Sequence, residues 1–307
     1  MMQRALVVGY GSIGARHARL LRDLGLEVGV VSRRGAGEGH IFGELADGCR
    51  QFRPDYVVIA NETANHVSAL EALASVGFDG LTLVEKPLAI SRESLYGITC
   101  GPRVRVAYNL RFHPALRALK ARLADDRPIV IQAYVGQYLP DWRPGTDYRT
   151  GYSASRAAGG GVLRDLSHEL DYLRWLFGPW SRVAAVGGRK GELEIDSDDT
   201  WCVLMEHHAG PVLTLQMNYL DRVPRRELTI IGAKHSYRLD MIAGTLTIDG
   251  ATEKFKVERD QTYRDQHAAM LSGRSGELSS FEDGVAIMTT INAIESAARE
   301  QRWVAAA

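Results

Sequence analysis

Three short segments of this sequence combine residue types and spacings that can do chemistry. In Gly9-Tyr10-Gly11-Ser12-Ile13-Gly14 three glycines stand at G-x-G-x-x-G spacing. Such a turn needs its first glycine for the tight bend and its second so that a pyrophosphate can approach the backbone. The third permits close helix–sheet packing, and the anion rests on the helix N-terminus, here at Ser12 and Ile13. The plain alternative is a glycine-rich strand-to-helix turn with no ligand. About twenty positions on, an acidic residue would hold the ribose 2′-hydroxyl of NAD. The chain instead reads Ser32-Arg33-Arg34, with no carboxylate. A hydroxyl and two guanidiniums suit a 2′-phosphate, which points to NADP. NAD held without an acid, beside solvated arginines, is the alternative. The second segment is Val84-Glu85-Lys86-Pro87, at the end of an apolar run. The third is Gly159-Gly160-Gly161 followed by Asp165, His168 and Asp171, which on a helix share one face, Asp171 less well.

These residues need a scaffold, and the hydrophobic pattern supplies one. Apolar runs at 4–8, 27–32, 55–61, 81–86 and 104–109 each end in a polar turn, and most are separated by helical stretches such as 65–77. Strands alternating with helices imply βαβ units and a doubly wound parallel sheet. The glycine turn then follows the first strand and opens a helix, and Lys86 lies at the carboxyl end of the fourth parallel strand, on the edge where such sheets bind ligands. The rhythm changes after about residue 115. A helix over 113–126, a strand from Pro128, a loop to Ala158 and one helix over 162–177 precede a β-rich stretch over 181–257. Turns such as His208-Ala209-Gly210 and Asp249-Gly250 favour antiparallel pairing there. Helices at about 260–272 and 281–300 close the chain. The fold class is therefore α/β at the N-terminus, with residues 1–115 as a nucleotide-binding domain. Residues 116–307 form an α+β domain on an open, mostly antiparallel sheet.

Composition narrows the partners. With 37 basic and 37 acidic residues the formal charge is zero, so no general positive field attracts nucleic acid or a membrane. Three scattered cysteines, Cys49, Cys100 and Cys202, form no metal pair and read as cytosolic thiols. No apolar run is long enough to span a membrane. A cytoplasmic protein is expected, with local basic patches still able to meet small phosphorylated ligands.

The ordered series of motifs resembles the Gfo/Idh/MocA oxidoreductases nearly end to end. It comprises the GxGxxG turn, NETANH at 61–66, EKP at 85–87, YNLRFHP at 108–114, the GGG…D…H…D segment and SFEDGVAIMTTINAIESA at 280–297. The resemblance implies a Rossmann domain followed by a C-terminal domain whose open sheet mediates a homodimer or homotetramer. It also implies an active site in the cleft between the two domains. The substrate implied is a sugar, cyclic polyol or nucleotide-activated sugar, with Lys86, Asp165 and His168 acting on its hydroxyl. Asn109 would lie near the nicotinamide, Asn61, Thr63 and His66 near the same half of the cofactor, and Glu85 beside Lys86. Histidine titrates near neutrality and suits proton removal from an alcohol, while a lysine can stabilise the developing alkoxide. Asp165 could fix the imidazole or bind a neighbouring hydroxyl.

The family pattern places the aspartate four residues before the histidine, whereas only Leu166 and Ser167 intervene here. On an ideal continuous helix that shift rotates Asp165 by about 100°. The preceding loop, 141–161, offers Arg149 and Tyr152 as substrate contacts. No metal site is expected: the Asp165–His168–Asp171 face lacks a second ligand cluster, and Asp196-Ser197-Asp198-Asp199 lacks the glycine and glutamate of a calcium loop. A dinucleotide-binding sensor or scaffold that kept the fold and lost the chemistry is the alternative reading.

Overall fold

The computed structural model describes residues 3–33, 35, 39–208 and 210–306. Arg34, the second proposed 2′-phosphate arginine, and Ala209 of the expected turn lie outside the described residues. The apolar run RALVV forms β1 (Arg4–Val8), and α1 (Ser12–Asp23) opens directly after Gly11. Helix α1 buries His17, Ala18, Leu20 and Leu21 on one stripe and gives way at Gly25, whose φ of 87° a side chain would resist. Then follow β2 (Glu27–Val31), β3 (His40–Phe42), α2 (Leu45–Phe52), β4 (Tyr56–Ile59), α3 (His66–Ser75), β5 (Leu81–Val84) and β6 (Val104–Val106). Strand β3 and helix α2 are too short to stand out in the apolar pattern. Because of β3, Lys86 follows the fifth strand in chain order and not the fourth.

Beyond lie α4 (Pro114–Leu123), β7 (Pro128–Gly136), α5 (Val162–Asp165) and α6 (His168–Phe177). The single helix expected over 162–177 is thus two helices, parted by a turn at Leu166 and Ser167. The β-rich stretch forms β8 (Trp180–Gly188), β9 (Thr200–His207), β10 (Val212–Asn218), β11 (Arg225–Gly232), β12 (Ser236–Asp240), β13 (Thr245–Ile248) and β14 (Ala251–Lys254). The chain closes with α7 (Gln261–Leu271), β15 (Ser279–Ser280), α8 (Phe281–Glu300) and β16 (Val304–Ala305).

Two compact units emerge: Met1–Asn109 with Thr262–Met288, and Leu110–Gln261 with Thr289–Ala307. The sheet of the first unit runs β15-β6-β5-β4-β1-β2-β3, parallel except for β15. Its parallel part has the strand order 3-2-1-4-5-6 of a Rossmann domain. The order reverses between β1 and β4, and ligands bind such sheets at the carboxyl ends of the strands at that point. Here those ends are Gly9 and Asn61.

The second unit carries a sheet ordered β14-β13-β12-β11-β7-β10-β9-β8-β16, antiparallel except for β7 with β10. Side chains alternate strictly: Leu213, Leu215 and Met217 of β10 are buried, while Thr214 and Gln216 face outward. Helices α4, α5 and α6 pack on the sheet, whereas Val186 (71% exposed) and Leu204 (41% exposed) lie open on outward-facing positions. No helix among the described residues is long and apolar enough to cross a membrane.

Candidate active site

In the first unit the glycine turn has the packing a dinucleotide site demands. A Cβ on Gly14 would lie 2.0 Å from the Gly9 carbonyl oxygen, so only glycine lets α1 start this close to β1. A Cβ on Gly9 would lie 2.6 Å from the Asn61 backbone, which packs the two strand ends together at the switch point. Beside Gly11 there is open space, where a phosphate could reach the backbone. Gly11 and Ser12 are exposed, Ile13 is half-buried, and no acidic residue stands in the first turn of α1. An anion at this helix end therefore meets no repulsion from the turn itself. The residues present fit a pyrophosphate. At the end of β2, the Ser32 amide donates to Phe42 O across β3, and Arg33 is exposed.

The NETANH and EKP segments are tied together. His66, 1% exposed, sets Nδ1 3.0 Å from Pro87 O and Nε2 3.2 Å from Asn61 O. Burial lowers its pKa against the opposing pull of those carbonyls and of Glu85. The buried ring, with one N–H when neutral, donates to one of these carbonyls and packs against the other, between the two loops. Thr63 is buried in the same stretch. Asn109 is buried at the end of the first segment of this unit, and its amide donates to Thr262 Oγ1 at 2.7 Å.

Lys86 is half-buried just beyond β5. Its main-chain N–H donates to Glu85 Oε2 at 3.1 Å, and Glu85 Oε1 lies 2.7 Å from His17 Nε2. Burial pushes the Glu85 carboxyl up, but the His17 bond and the charges of His17 and Lys86 outweigh it. The carboxyl therefore stays below its usual range. Glu85 is an ionised, fixed group behind the lysine and is spent on these contacts.

In the second unit, Gly161 at φ 114° opens α5 where a Cβ would strike the Asp198 carboxylate at 2.1 Å. That carboxylate accepts the Leu163 N–H at 3.1 Å and the Trp201 Nε1–H at 2.8 Å. The last glycine of the run therefore makes room for a carboxylate that satisfies the helix start. The acidic turn at 196–199 does structural work throughout, since Asp196 accepts from Arg156 N and Asp199 from Lys190 N and Gly191 N. Among the described residues, no group of three or more His, Cys, Asp or Glu side chains is placed to hold a metal ion.

Asp165 ends α5 and accepts the Tyr219 hydroxyl at 2.6 Å. His168, half-buried, is the first residue of α6. Two ion pairs, one fully and one partly buried, fix its helix. Arg111 grips Asp171 through Nε at 2.8 Å and Nη2 at 2.7 Å, with both side chains almost fully buried. Arg226 of β11 reaches Glu169 Oε1 at 2.8 Å. Burial nevertheless holds the Glu169 carboxyl above its usual range, against the pull of Arg226. The proposed substrate contacts are already engaged. Arg149 is exposed and paired with Asp147 and Glu194, and the Tyr152 hydroxyl donates to Gly159 O at 2.6 Å.

Residues 117–238 match the family model described as the GFO/IDH/MocA C-terminal domain. The full length of the chain, β1 to β16, has the fold of solved sugar and nucleotide-sugar dehydrogenases. A levoglucosan dehydrogenase in complex with NADH is 19% identical with a TM-score of 0.82, the match covering 99% of each chain. The WlbA dehydrogenase from Bordetella pertussis, in complex with NADH and UDP-GlcNAcA, is 20% identical (TM-score 0.79, covering 100% of this chain and 99% of that one). The UDP-N-acetylglucosamine 3-dehydrogenase GnnA from Acidithiobacillus ferrooxidans is 21% identical (TM-score 0.78, covering 98% and 99%). At these identities the likeness is one of fold. No curated protein sequence matches the chain.

Several residues that shape the Gfo/Idh/MocA-like motifs here escaped the sequence. His17 carried a readable signal, a polar residue on the buried stripe of α1 beside Leu20 and Leu21. Arg111 lay within YNLRFHP without its partner Asp171 being evident. Tyr219, Arg226 and His267 carried none, because their partners lie 54, 57 and 250 residues away.

Proposed function

We propose that this chain is an NAD(P)-dependent oxidoreductase that transfers a hydride between nicotinamide and a hydroxyl-bearing carbon of a sugar, cyclic polyol or nucleotide-activated sugar, as dehydrogenase or ketoreductase. The observation that carries the reading is the Gly9–Gly14 turn at the switch point of a 3-2-1-4-5-6 sheet, with Lys86 at the carboxyl end of β5 in that sheet. Structures of similar fold that hold NADH with levoglucosan or with UDP-GlcNAcA support the substrate class. Residues 1–115 are assigned to the cofactor and 116–307 to substrate and self-association, the latter through the open face of the nine-stranded sheet. NADP is the preferred cofactor, on Ser32, Arg33 and Arg34.

Bound nicotinamide supplies the hydride acceptor or donor. The protein's own part is proton and charge handling. His168 takes the hydroxyl proton in oxidation and returns it in reduction. Lys86 Nζ stabilises the negative charge that develops on the substrate oxygen. Asp165, held by Tyr219, orients the imidazole or a neighbouring hydroxyl. The Ser12 and Ile13 end of α1 receives the pyrophosphate, while Asn61, Thr63, His66, Glu85 and Asn109 shape the nicotinamide side. Arg149 meets a substrate phosphate only by releasing Asp147 or Glu194, and Tyr152 lines the same loop. The setting is cytoplasmic.

The test is incubation with NADP+ or NAD+ and a panel that includes levoglucosan and UDP-N-acetylglucosamine, followed by absorbance of the reduced nicotinamide. Lys86→Ala and His168→Ala are each expected to lower turnover by at least about 100-fold while cofactor still binds. Near-wild-type rates in either variant would remove that residue from the mechanism. Dinucleotide binding with no turnover of any hydroxyl or keto sugar would favour the sensor or scaffold.

A further inference from the structure

Behind Lys86 a continuous chain of hydrogen bonds runs through the interior of the first unit. Tyr56 of β4 places its hydroxyl 2.9 Å from His267 Nδ1, His267 Nε2 lies 2.8 Å from His17 Nδ1, and His17 Nε2 lies 2.7 Å from Glu85 Oε1. Tyr56, His17 and His267 are fully buried and Glu85 is 8% exposed. The Tyr263 ring, one turn before His267 on α7, meets His17 edge-on at 5.8 Å. Each imidazole uses both ring nitrogens. The Glu85 carboxylate only accepts, so His17 carries its proton on Nε2. His17 Nδ1 and His267 Nε2 share one hydrogen bond, and His267 Nδ1 shares another with the Tyr56 hydroxyl. Burial, helped by the charge of Glu85, holds the Tyr56 hydroxyl protonated far above the ordinary range. Burial also drives His267 far below the ordinary histidine range, which keeps it neutral. The chain ends on the carboxylate that receives the Lys86 amide.

We propose that Tyr56, His267 and His17 are positioning residues for Lys86, acting through Glu85 to fix the main chain of the EKP turn. None of the three touches substrate in this arrangement. Their cost is justified by what they orient: buried imidazoles and a buried hydroxyl are stable only when all are satisfied together, and such a network has one geometry. The unit brings His267 from its second segment, so the turn at residue 86 is secured only when Thr262–Met288 has docked on the sheet.

The inference rests on Lys86 being catalytic, and two readouts separate the two ideas. The first needs no substrate. Nitrogen-15 spectra of the full chain should show His17 protonated at Nε2, facing Glu85. The isosteric Tyr56→Phe variant should then shift both the His17 ring nitrogens and the Lys86 amide resonance. Unmoved Lys86 and His17 signals in a folded Tyr56→Phe protein would overturn the proposal, whatever the activity. The second uses whichever sugar the panel identifies. Tyr56→Phe and His17→Gln should each lower kcat by about tenfold, the scale of one charge-assisted hydrogen bond. KM and the NADH affinity from fluorescence titration should be unchanged. Unchanged kcat in both variants, where Lys86→Ala is inactive, would overturn the positioning role alone. An active Lys86→Ala would instead overturn the catalytic reading, and the amide shift would still decide whether the network fixes the turn. If His17→Gln does not fold, Tyr56→Phe carries the test.

Discussion

Removing Arg111 should cost more stability than any surface change, because it would strand a carboxylate. The Arg111–Asp171 pair is bidentate, at 2.8 and 2.7 Å, with side chains 3% and 2% exposed. In water each ion would be hydrated; here each is the other's substitute for solvent. Arg111→Ala leaves Asp171 charged in the interior, a defect worth about 3–5 kcal/mol in comparable buried pairs. A unit of this size shifts its melting midpoint by about 2–4 °C per kcal/mol, so the transition should fall by roughly 6–20 °C. The opposite substitution separates charge stranding from lost packing. An Arg111→Met, Asp171→Leu double variant removes both charges and should recover most of the loss, since apolar replacements of buried pairs are often neutral. Differential scanning calorimetry of the three proteins checks this. A drop below about 2 °C in Arg111→Ala, or a double variant no better than the single one, would refute the reasoning. Turnover should follow the same order, because Asp171 is one turn beyond His168 on α6.

Arg33→Ala should shift preference from NADP toward NAD, measured as the ratio of the two kcat/KM values; an unchanged ratio removes Arg33 from the 2′-phosphate site. Tyr219→Phe deletes the donor to Asp165 with little change of shape and should lower kcat about tenfold at constant NADH affinity. A wild-type kcat would show that Asp165 needs no such anchor. The folded Glu85 carboxyl lies below its ordinary value of 4.5. Its contribution to stability is therefore fully present above about pH 4.5 and is lost as pH falls through the depressed folded value. Urea unfolding between neutrality and pH 3 should show a stability difference between wild type and Glu85→Gln that shrinks below that point. A difference independent of pH would mean that Glu85 is not ionised in the fold.

Much of the scaffold could be read directly from the sequence because its signals are local. Apolar runs bounded by polar turns marked β1, β2, β4, β5 and β6, and a β-rich pattern punctuated by turns marked the stretch from β8 to β14. What failed was short or non-local. The three-residue β3 and two-residue β15 and β16 owe their existence to neighbouring strands, and no window of sequence contains those neighbours. The same division runs through the candidate site. Gly14 and Lys86 are legible because a turn type and a strand end specify them. Tyr56, His267, Arg111 and Arg226 are defined by partners brought from distant segments, and each alone resembles an ordinary core or surface residue.

The short spacing between Asp165 and His168 shows why a motif must be read through its backbone. Counted along one ideal helix, the missing residue turns the aspartate away by about 100°. The chain does not form one helix there. It ends α5 at Asp165 and begins α6 at His168, with Leu166 and Ser167 in a turn. Angular position is then set by tertiary anchors instead of helical periodicity. Tyr219 fixes Asp165 from the residue after β10, while Arg226 and Arg111 fix Glu169 and Asp171 on the other side of the break. Each anchor is a charged or hydroxyl contact to a different element, so the two short helices are oriented independently. Rotation inferred from spacing alone therefore does not count against Asp165. Its role depends on whether the Tyr219 hydroxyl holds it in a working position, and Tyr219→Phe removes that contact while leaving the helix break intact.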